Sequence, residues 1–446
     1  VATSQAALKP SPALLSRLEE ARTRTDELFR VLAPNAFYDR PIAERHRLIF
    51  YLGHLEAFDW NLLGPELGLE PLNTSLNQLF AFGIDPVDGG LPSDVPSDWP
   101  AIAEVEKYNL GVRGQLDSRL NDLAASSDAS FFESPLLNVA IEHRLMHAET
   151  LAYLFNNLPV AHKLPYDVTV ADSRPAPLSR QVTIPAGIAT LGQLRGAAFG
   201  WDNEFEQELV EVPSFSVDVF PVTNHDFLKF VRDAGYQTAA YWRPEDWDWK
   251  RRMNLEHPHF WVRSSSVPAA DPDATWEYQG MFGTIPLPAA WPVYVSYAEA
   301  NAFARWAGKK LPTEAQWHRA AYSTKEGADR AFPWGSAHPD PTRGNFHHMS
   351  WEPTRVDAHP KGASAFGVFD LLGNGWEWTS TPFGPLPGFE AFPFYPGYSA
   401  NFFDGKHFVM KGGSPRTDAC MLRRSFRNWF QPHYPYIYST FRCVEE

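Results

Sequence analysis

Apolar residues recur at spacings of three and four through the first third of the chain, and that rhythm fades after about residue 160. Leu14, Leu18, Ala21, Thr25 and Leu28 share one face of a helix. Ser11-Pro12 predicts its start, with serine as N-cap and proline at the first helical position. Further helices are predicted over about 43–63 and 100–125, and from Ser134-Pro135 to about Asn156. Four such helices predict an antiparallel bundle. Between the second and third, the run DPVDGGLPSDVPSD (85–98) breaks the pattern and predicts a long loop.

Pro165, Pro175 and Pro177 then punctuate the chain. They divide it into a helical domain over 1–165, a linker over 166–180 and a second domain over 181–446. In the second domain short β-like runs appear, such as Gln181-Val182-Thr183-Ile184 and Val409-Met410-Lys411, separated by loops rich in Gly, Pro and Trp. Short helices are predicted near 224–234 and 296–306. This is the pattern of an α+β domain with little regular structure. No internal repeat or low-complexity segment interrupts either part.

Composition narrows the function classes. With 446 residues, 44% hydrophobic and 21% charged, the chain is of the ordinary globular type and long enough for two cores. The net charge of −14, without a basic stripe, argues against nucleic acid and anionic membrane as partners. Cys420 and Cys443 are the two cysteines, too few for a disulfide framework and in no zinc spacing. Residues 1–30 carry no apolar signal core, and no run is long enough to span a bilayer, so a cytoplasmic setting is expected.

The candidate chemistry lies in the helices. In Glu142-His143-Arg144-Leu145-Met146-His147 two histidines sit one turn apart on one helical face. Leu136, Ala140, His143, His147, Leu151 and Leu154 form one stripe, so both imidazoles point inward. Tyr51, His54, Phe58 and Leu62 form a similar stripe on the second helix. Three inward imidazoles can occupy one face of a metal ion and leave positions open for substrate. Hydrogen-bonded core histidines are the alternative, and the residues alone do not separate iron from zinc or copper.

A resemblance carries the reading further. Val222-Thr223-Asn224, Pro292-Val293-Tyr294-Val295-Ser296-Tyr297, Lys310-Leu311-Pro312-Thr313-Glu314-Ala315-Gln316-Trp317, Gly373-Asn374-Gly375-Trp376-Glu377-Trp378, Gly412-Gly413-Ser414 and Phe441-Arg442 follow in order. Together they resemble the formylglycine-generating-enzyme-like domain, a variant of the C-type lectin fold. The cysteine pair that binds copper in the formylglycine-generating enzymes is absent here, because only Cys420 follows Gly412-Gly413-Ser414. That activity is not expected, and both cysteines read as small buried hydrophobes.

The same domain behind a DinB-like four-helix bundle is similar to the ergothioneine and ovothiol sulfoxide synthases. The expected fold is therefore multidomain, α followed by α+β. The resemblance implies iron(II) held by His54, His143 and His147, with hercynine and O2 as substrates. Tyr51 to Asn61 and the segment 76–100 look most like the selenoneine synthase branch, whose chalcogen donor is a selenosugar. The rival expectations are an ergothioneine-type synthase using cysteine or a cysteinyl peptide, and a zinc-dependent DinB-type thiol transferase.

Individual residues follow from the same resemblance. Tyr398, in Tyr398-Ser399-Ala400-Asn401-Phe402-Phe403, matches the family's catalytic tyrosine and is expected to donate a proton. Asn428 resembles the asparagine that helps to hold hercynine. Trp429 and Phe430 offer π-faces to its quaternary ammonium. Phe430 and Tyr434 stand where the γ-glutamylcysteine-using branch has an Asp and an Arg, so the charged clamp for that donor is missing. Met146 replaces a glutamine found before the last histidine in some members. Asp370, Gly373, Gly375 and Glu377 match a calcium-site pattern of this fold. His347-His348 is expected to be an exposed loop pair.

Overall fold

A computed structural model describes residues 10–81, 90–126, 130–168, 172–264 and 276–446, with side chains from residue 12 onward. The chain divides into two compact units, Val1–Tyr166 and Asp167–Glu446.

The first unit is helical. Its elements are α1 (Pro10–Phe29), α2 (Leu48–Leu63), α3 (Thr74–Leu79), α4 (Ile102–Ala125), α5 (Ser130–Glu133) and α6 (Leu136–Asn156). Helix α1 packs on α6, α6 on α2, α2 on α4 and α4 on α1, which closes a four-helix ring. The stripe Leu14, Leu18, Ala21, Thr25 and Leu28 is buried as expected. Helix α1 begins at Pro10, so Ser11 lies inside it and does not cap it.

Two further differences are local. Helix α2 begins at Leu48, about five residues later than its pattern suggested, because Arg47 is still extended. Its guanidinium, with that of Arg40, is held by Asp94. Helix α3 was not anticipated. Asn73 caps it by accepting from the Leu76 amide at 3.0 Å. The expected loop 85–98 lies partly outside the described residues, and 90–95 is irregular before a single turn at Pro96–Asp98. Among the described residues no helix is long and apolar enough to cross a membrane.

The second unit holds short strands between long loops. A four-stranded sheet runs in the order Asn428–Phe430, Phe408–Gly413, Gly375–Pro382, Ser439–Thr440. Its first three strands pair antiparallel and the last is parallel to its neighbour. Gln181–Ile184, Phe215–Asp218 and Val444–Glu445 form a second, antiparallel sheet. Helices α7 (Asn224–Arg232), α8 (Pro244–Arg252), α9 (Tyr297–Trp306) and α10 (Glu314–Tyr322) complete the frame. Ser296 with Glu299 and Thr313 with Gln316 form capping boxes at the starts of α9 and α10. Trp317, Tyr322, Phe215, Val217, Val368 and Leu422 lie in one core cluster.

Candidate metal centre and aromatic strand

Helices α2 and α6 carry the three histidines. His54, His143 and His147 are all buried, and one ligand atom of each lies within 4.8 Å of the others. The one-turn spacing on α6 brings the His143 and His147 rings to 4.5 Å, and α2 sets the His54 ring 4.9 Å from His147. Phe58 stacks on His143 at 3.4 Å, and Phe50 stacks on His54 at 4.8 Å. Burial pushes His54 down to about 4, against a smaller upward pull from the Phe80 carbonyl. Burial, and then the neighbouring imidazoles, hold His143 and His147 well below the ordinary histidine value. All three are therefore neutral at pH 7, the form that ligates a cation.

The donor set fits a metal. Nδ1 of His143 and Nδ1 of His147 are buried without a hydrogen-bond partner among the described residues. Such an orphan costs about 1–3 kcal/mol. His54 Nδ1 meets the Phe80 carbonyl at 2.7 Å, which leaves its Nε2 lone pair for a ligand.

One turn along α2 lies an ion network that the sequence reading did not single out. Arg144 is fully buried between the two α6 histidines. It donates to Glu56 at 2.9 and 3.0 Å, to Asp59 at 2.7 Å and to the Leu55 carbonyl at 3.0 Å. Arg113 of α4 reaches Glu56 at 2.7 Å and pairs with Asp26 of α1. Burial would raise the Glu56 carboxyl, but Arg144, Arg113 and Arg22 hold it at about 2. The available signal was that Glu56, Asp59 and Arg144 occupy otherwise apolar helices. On α6 only Asn138, Met146 and Glu149 escape full burial.

In the second unit Tyr398 is buried, stacked on Trp201 at 4.0 Å and edge-on to Trp429 at 5.4 Å. The next residue, Ser399, is hydrogen-bonded to Asp202 and accepts from Asn203 at 2.9 Å. The segment Trp201-Asp202-Asn203 thus seats the tyrosine loop. Trp429 also stacks on Phe383 at 4.2 Å.

Strand alternation separates the expected substrate residues. Asn428, Trp429 and Phe430 pair with Met410, Val409 and Phe408, so Trp429 faces away from Asn428 and Phe430. Trp429 joins Tyr398, while Phe430 stacks on Tyr434 at 5.3 Å. Close by in sequence, His433 pairs with Asp246 at 2.8 Å and stacks on Trp249, and Arg243 takes both Asp246 oxygens.

These arrangements sit on a chain whose relatives are recognisable. Residues 167–446 match the sulfatase-modifying factor enzyme 1-like domain family. A hercynine oxygenase of Mycolicibacterium smegmatis is 36% identical over 314 residues, 69% of this chain and 70% of that protein. This chain belongs to that family. A hercynine oxygenase of Mycolicibacterium thermoresistibile is 33% identical over 77% of this chain and 74% of its own. Ergothioneine biosynthesis protein 1 of Neurospora crassa is 28% identical over 94% of this chain. The alignment takes in 56% of that fungal protein, so this chain spans about half its length. A helical bundle followed by a formylglycine-generating-enzyme-like domain is therefore the fold of this chain.

The residues of the expected calcium site are partly engaged by protein groups. Both Glu377 oxygens are taken, by Arg442 at 2.6 and 2.7 Å and by Trp317 at 2.9 Å. The Gly373 carbonyl accepts from the Gly375 amide at 2.8 Å. Asp370 accepts from Asn374 at 2.7 Å, and burial pushes its carboxyl up to about 8, the protonated form at neutral pH. His348 is likewise buried, not exposed, whereas His347 is half exposed and pairs with Asp418 at 2.9 Å. Cys443 is buried and Cys420 half-buried.

Proposed function

We propose that this chain is an iron(II)- and O2-dependent oxidoreductase that joins C2 of the hercynine imidazole to a chalcogen donor. The observation that carries this reading is the buried, neutral triad of His54, His143 and His147, with ligand atoms within 4.8 Å. The relatives named hercynine oxygenase supply the substrate class. Three imidazoles leave half of an octahedral ion open, and a bound iron(II) supplies the one-electron chemistry that O2 requires.

The chain's own residues do the rest. Residues 1–165 hold the metal ligands, 166–180 link, and 181–446 carry the substrate residues. Tyr398 Oη donates or holds a proton, with its ring fixed against Trp201. Asn428 hydrogen-bonds hercynine, and Phe430, on the same face of the strand, offers a π-face to its quaternary ammonium, while Trp429 on the opposite face packs against Tyr398.

The donor in this reading is a selenosugar, which makes the product selenoneine. Phe430 and Tyr434 present stacked rings and a hydroxyl where a charged clamp is needed for γ-glutamylcysteine. The adjacent His433 is committed to Asp246, which Arg243 also holds. A sulfur donor, cysteine or a cysteinyl peptide, is the second reading, favoured by the relative named ergothioneine biosynthesis protein 1. Zinc with thiol transfer is the third, since three imidazoles also suit zinc.

The test is product analysis by mass spectrometry with hercynine, iron(II), O2 and a panel of selenium and sulfur donors. Formation of a hercynine–chalcogen bond that needs both iron and O2 supports the reading. Coupling that proceeds without O2, or a zinc-loaded enzyme that transfers thiols, overturns it.

A further inference from the structure

Of the three buried imidazoles, His54 has a backbone partner for Nδ1. Its Nδ1 lies 2.7 Å from the Phe80 carbonyl oxygen. A carbonyl only accepts, so Nδ1 carries the proton and Nε2 the lone pair. Phe80 is the C-cap of α3, its amide bonded to the Leu76 carbonyl at 3.0 Å. Helix α3 is in turn tied to α4, where the Asn77 amide and Tyr108 hydroxyl form a 2.6 Å hydrogen bond.

What brings Phe80 so close is the residue before His54. A Cβ on Gly53 would lie 2.5 Å from three carbons of the Phe80 ring. That ring is fully buried among Phe50, Trp99 and Tyr108, at 6.4, 6.1 and 6.3 Å, so it has little room to retreat. Even alanine at position 53 would displace the ring and, with it, the carbonyl one backbone step away.

We propose that Gly53 is a positioning residue: its bare Cα admits the Phe80 ring onto α2, and so aims the Phe80 carbonyl at His54 Nδ1. That bond fixes the tautomer and ring orientation of a metal-ligating imidazole. Such partners typically contribute about 10–100-fold in metal affinity. The inference rests on the metal reading of the triad.

The test uses the full chain as wild type, Gly53→Ala and Gly53→Ala/Phe80→Leu. The first readout is the His54 tautomer in metal-free protein, from long-range 1H–15N couplings of the imidazole nitrogens. The second is cobalt(II) affinity by competition with a chelating dye. Wild type should show one Nδ1–H tautomer. Gly53→Ala should show mixed tautomers and about 10–100-fold weaker cobalt binding. Shortening residue 80 should restore the tautomer and bring affinity back to within about threefold of wild type. An unchanged tautomer and affinity in Gly53→Ala, or a loss that Phe80→Leu does not repair, overturns the proposal. If Gly53→Ala does not fold, the double variant decides: near-wild-type binding supports the proposal and a loss beyond about tenfold defeats it. A wild type that holds the tautomer but binds no cobalt removes the metal reading while the tautomer claim stands.

Discussion

Arg144 and Glu56 join the two helices that carry the histidine triad. The Arg144 fork spans both Glu56 oxygens at 2.9 and 3.0 Å, and its Nη2 also takes the carbonyl of Leu55, the residue after His54. Arg144 itself follows His143, so one guanidinium ties the backbone beside a ligand on α2 to the backbone beside a ligand on α6. With both partners buried, Arg144→Met leaves Glu56 to Arg113 alone and Asp59 to a longer 3.9 Å contact with Arg22. The helical unit should lose about 3–5 kcal/mol, read as faster hydrogen exchange in α2 and α6. Replacing Glu56 and Asp59 by leucine in the same variant should recover much of that loss. Wild-type protection in Arg144→Met would show that the network does not brace the helices.

The triad also makes the metal-free protein sensitive to acid. Folding lowers the histidine pKa values, so between about 4 and 6.5 these imidazoles bind more protons in the unfolded chain than in the folded one. The stability from burying neutral imidazoles is complete above the unfolded value and is lost as pH falls toward 4. His54 alone, at about 4 against an ordinary 6.5, accounts for on the order of 3 kcal/mol. Glu56, held at about 2, lies outside this window, whereas burial raises the carboxyls of Asp59 and Asp370, whose protonation in the folded chain works in the opposite sense. Urea midpoints of metal-free protein should fall more steeply between about pH 7 and pH 5 in the wild type than in His54→Gln. The same slope in both would mean that His54 is not buried neutral.

Tyr398 separates packing from chemistry cleanly. Its ring stacks on Trp201 at 4.0 Å, and Tyr398→Phe keeps that ring. The variant should melt within a few degrees of wild type, yet couple about 10²-fold more slowly or oxidise the donor without attaching it. Unchanged rate and product ratio would assign the residue to structure alone.

Donor choice follows from desolvation. The ammonium and carboxylates of γ-glutamylcysteine need charged partners when buried, and Phe430 and Tyr434 offer none. One missing charged contact costs roughly 1.5–3 kcal/mol. In direct competition at saturating hercynine, a selenosugar should be preferred at least about tenfold in kcat/KM. Equal use, or preference for γ-glutamylcysteine, would move the chain to the sulfur-using reading.

The helices and the triad were legible because periodicity and the His-x-x-x-His spacing are local signals. The stripes through Leu14 and through Leu136 lie buried, and His54, His143 and His147 converge as their faces required. What escaped depends on contacts distant in sequence. Helix α3 is one short turn and a half, marked by Asn73 alone. Helices α8 and α10 passed unread although Pro244 and the Thr313–Gln316 box open them. The ion network joins Arg22, Glu56, Asp59, Arg113 and Arg144, whose pairing no spacing rule foretells. The pairing of Glu377 with Arg442, 65 residues away, was equally hidden from the sequence.

Metal binding by the triad is the property on which the proposed chemistry depends. Anaerobic titration of the metal-free protein with iron(II) should show about one equivalent bound in the wild type. His54→Ala, His143→Ala and His147→Ala should each lose most of that binding, since each removes one of three ligands and leaves a polar gap in the core. Wild-type-like iron binding in all three variants would contradict it.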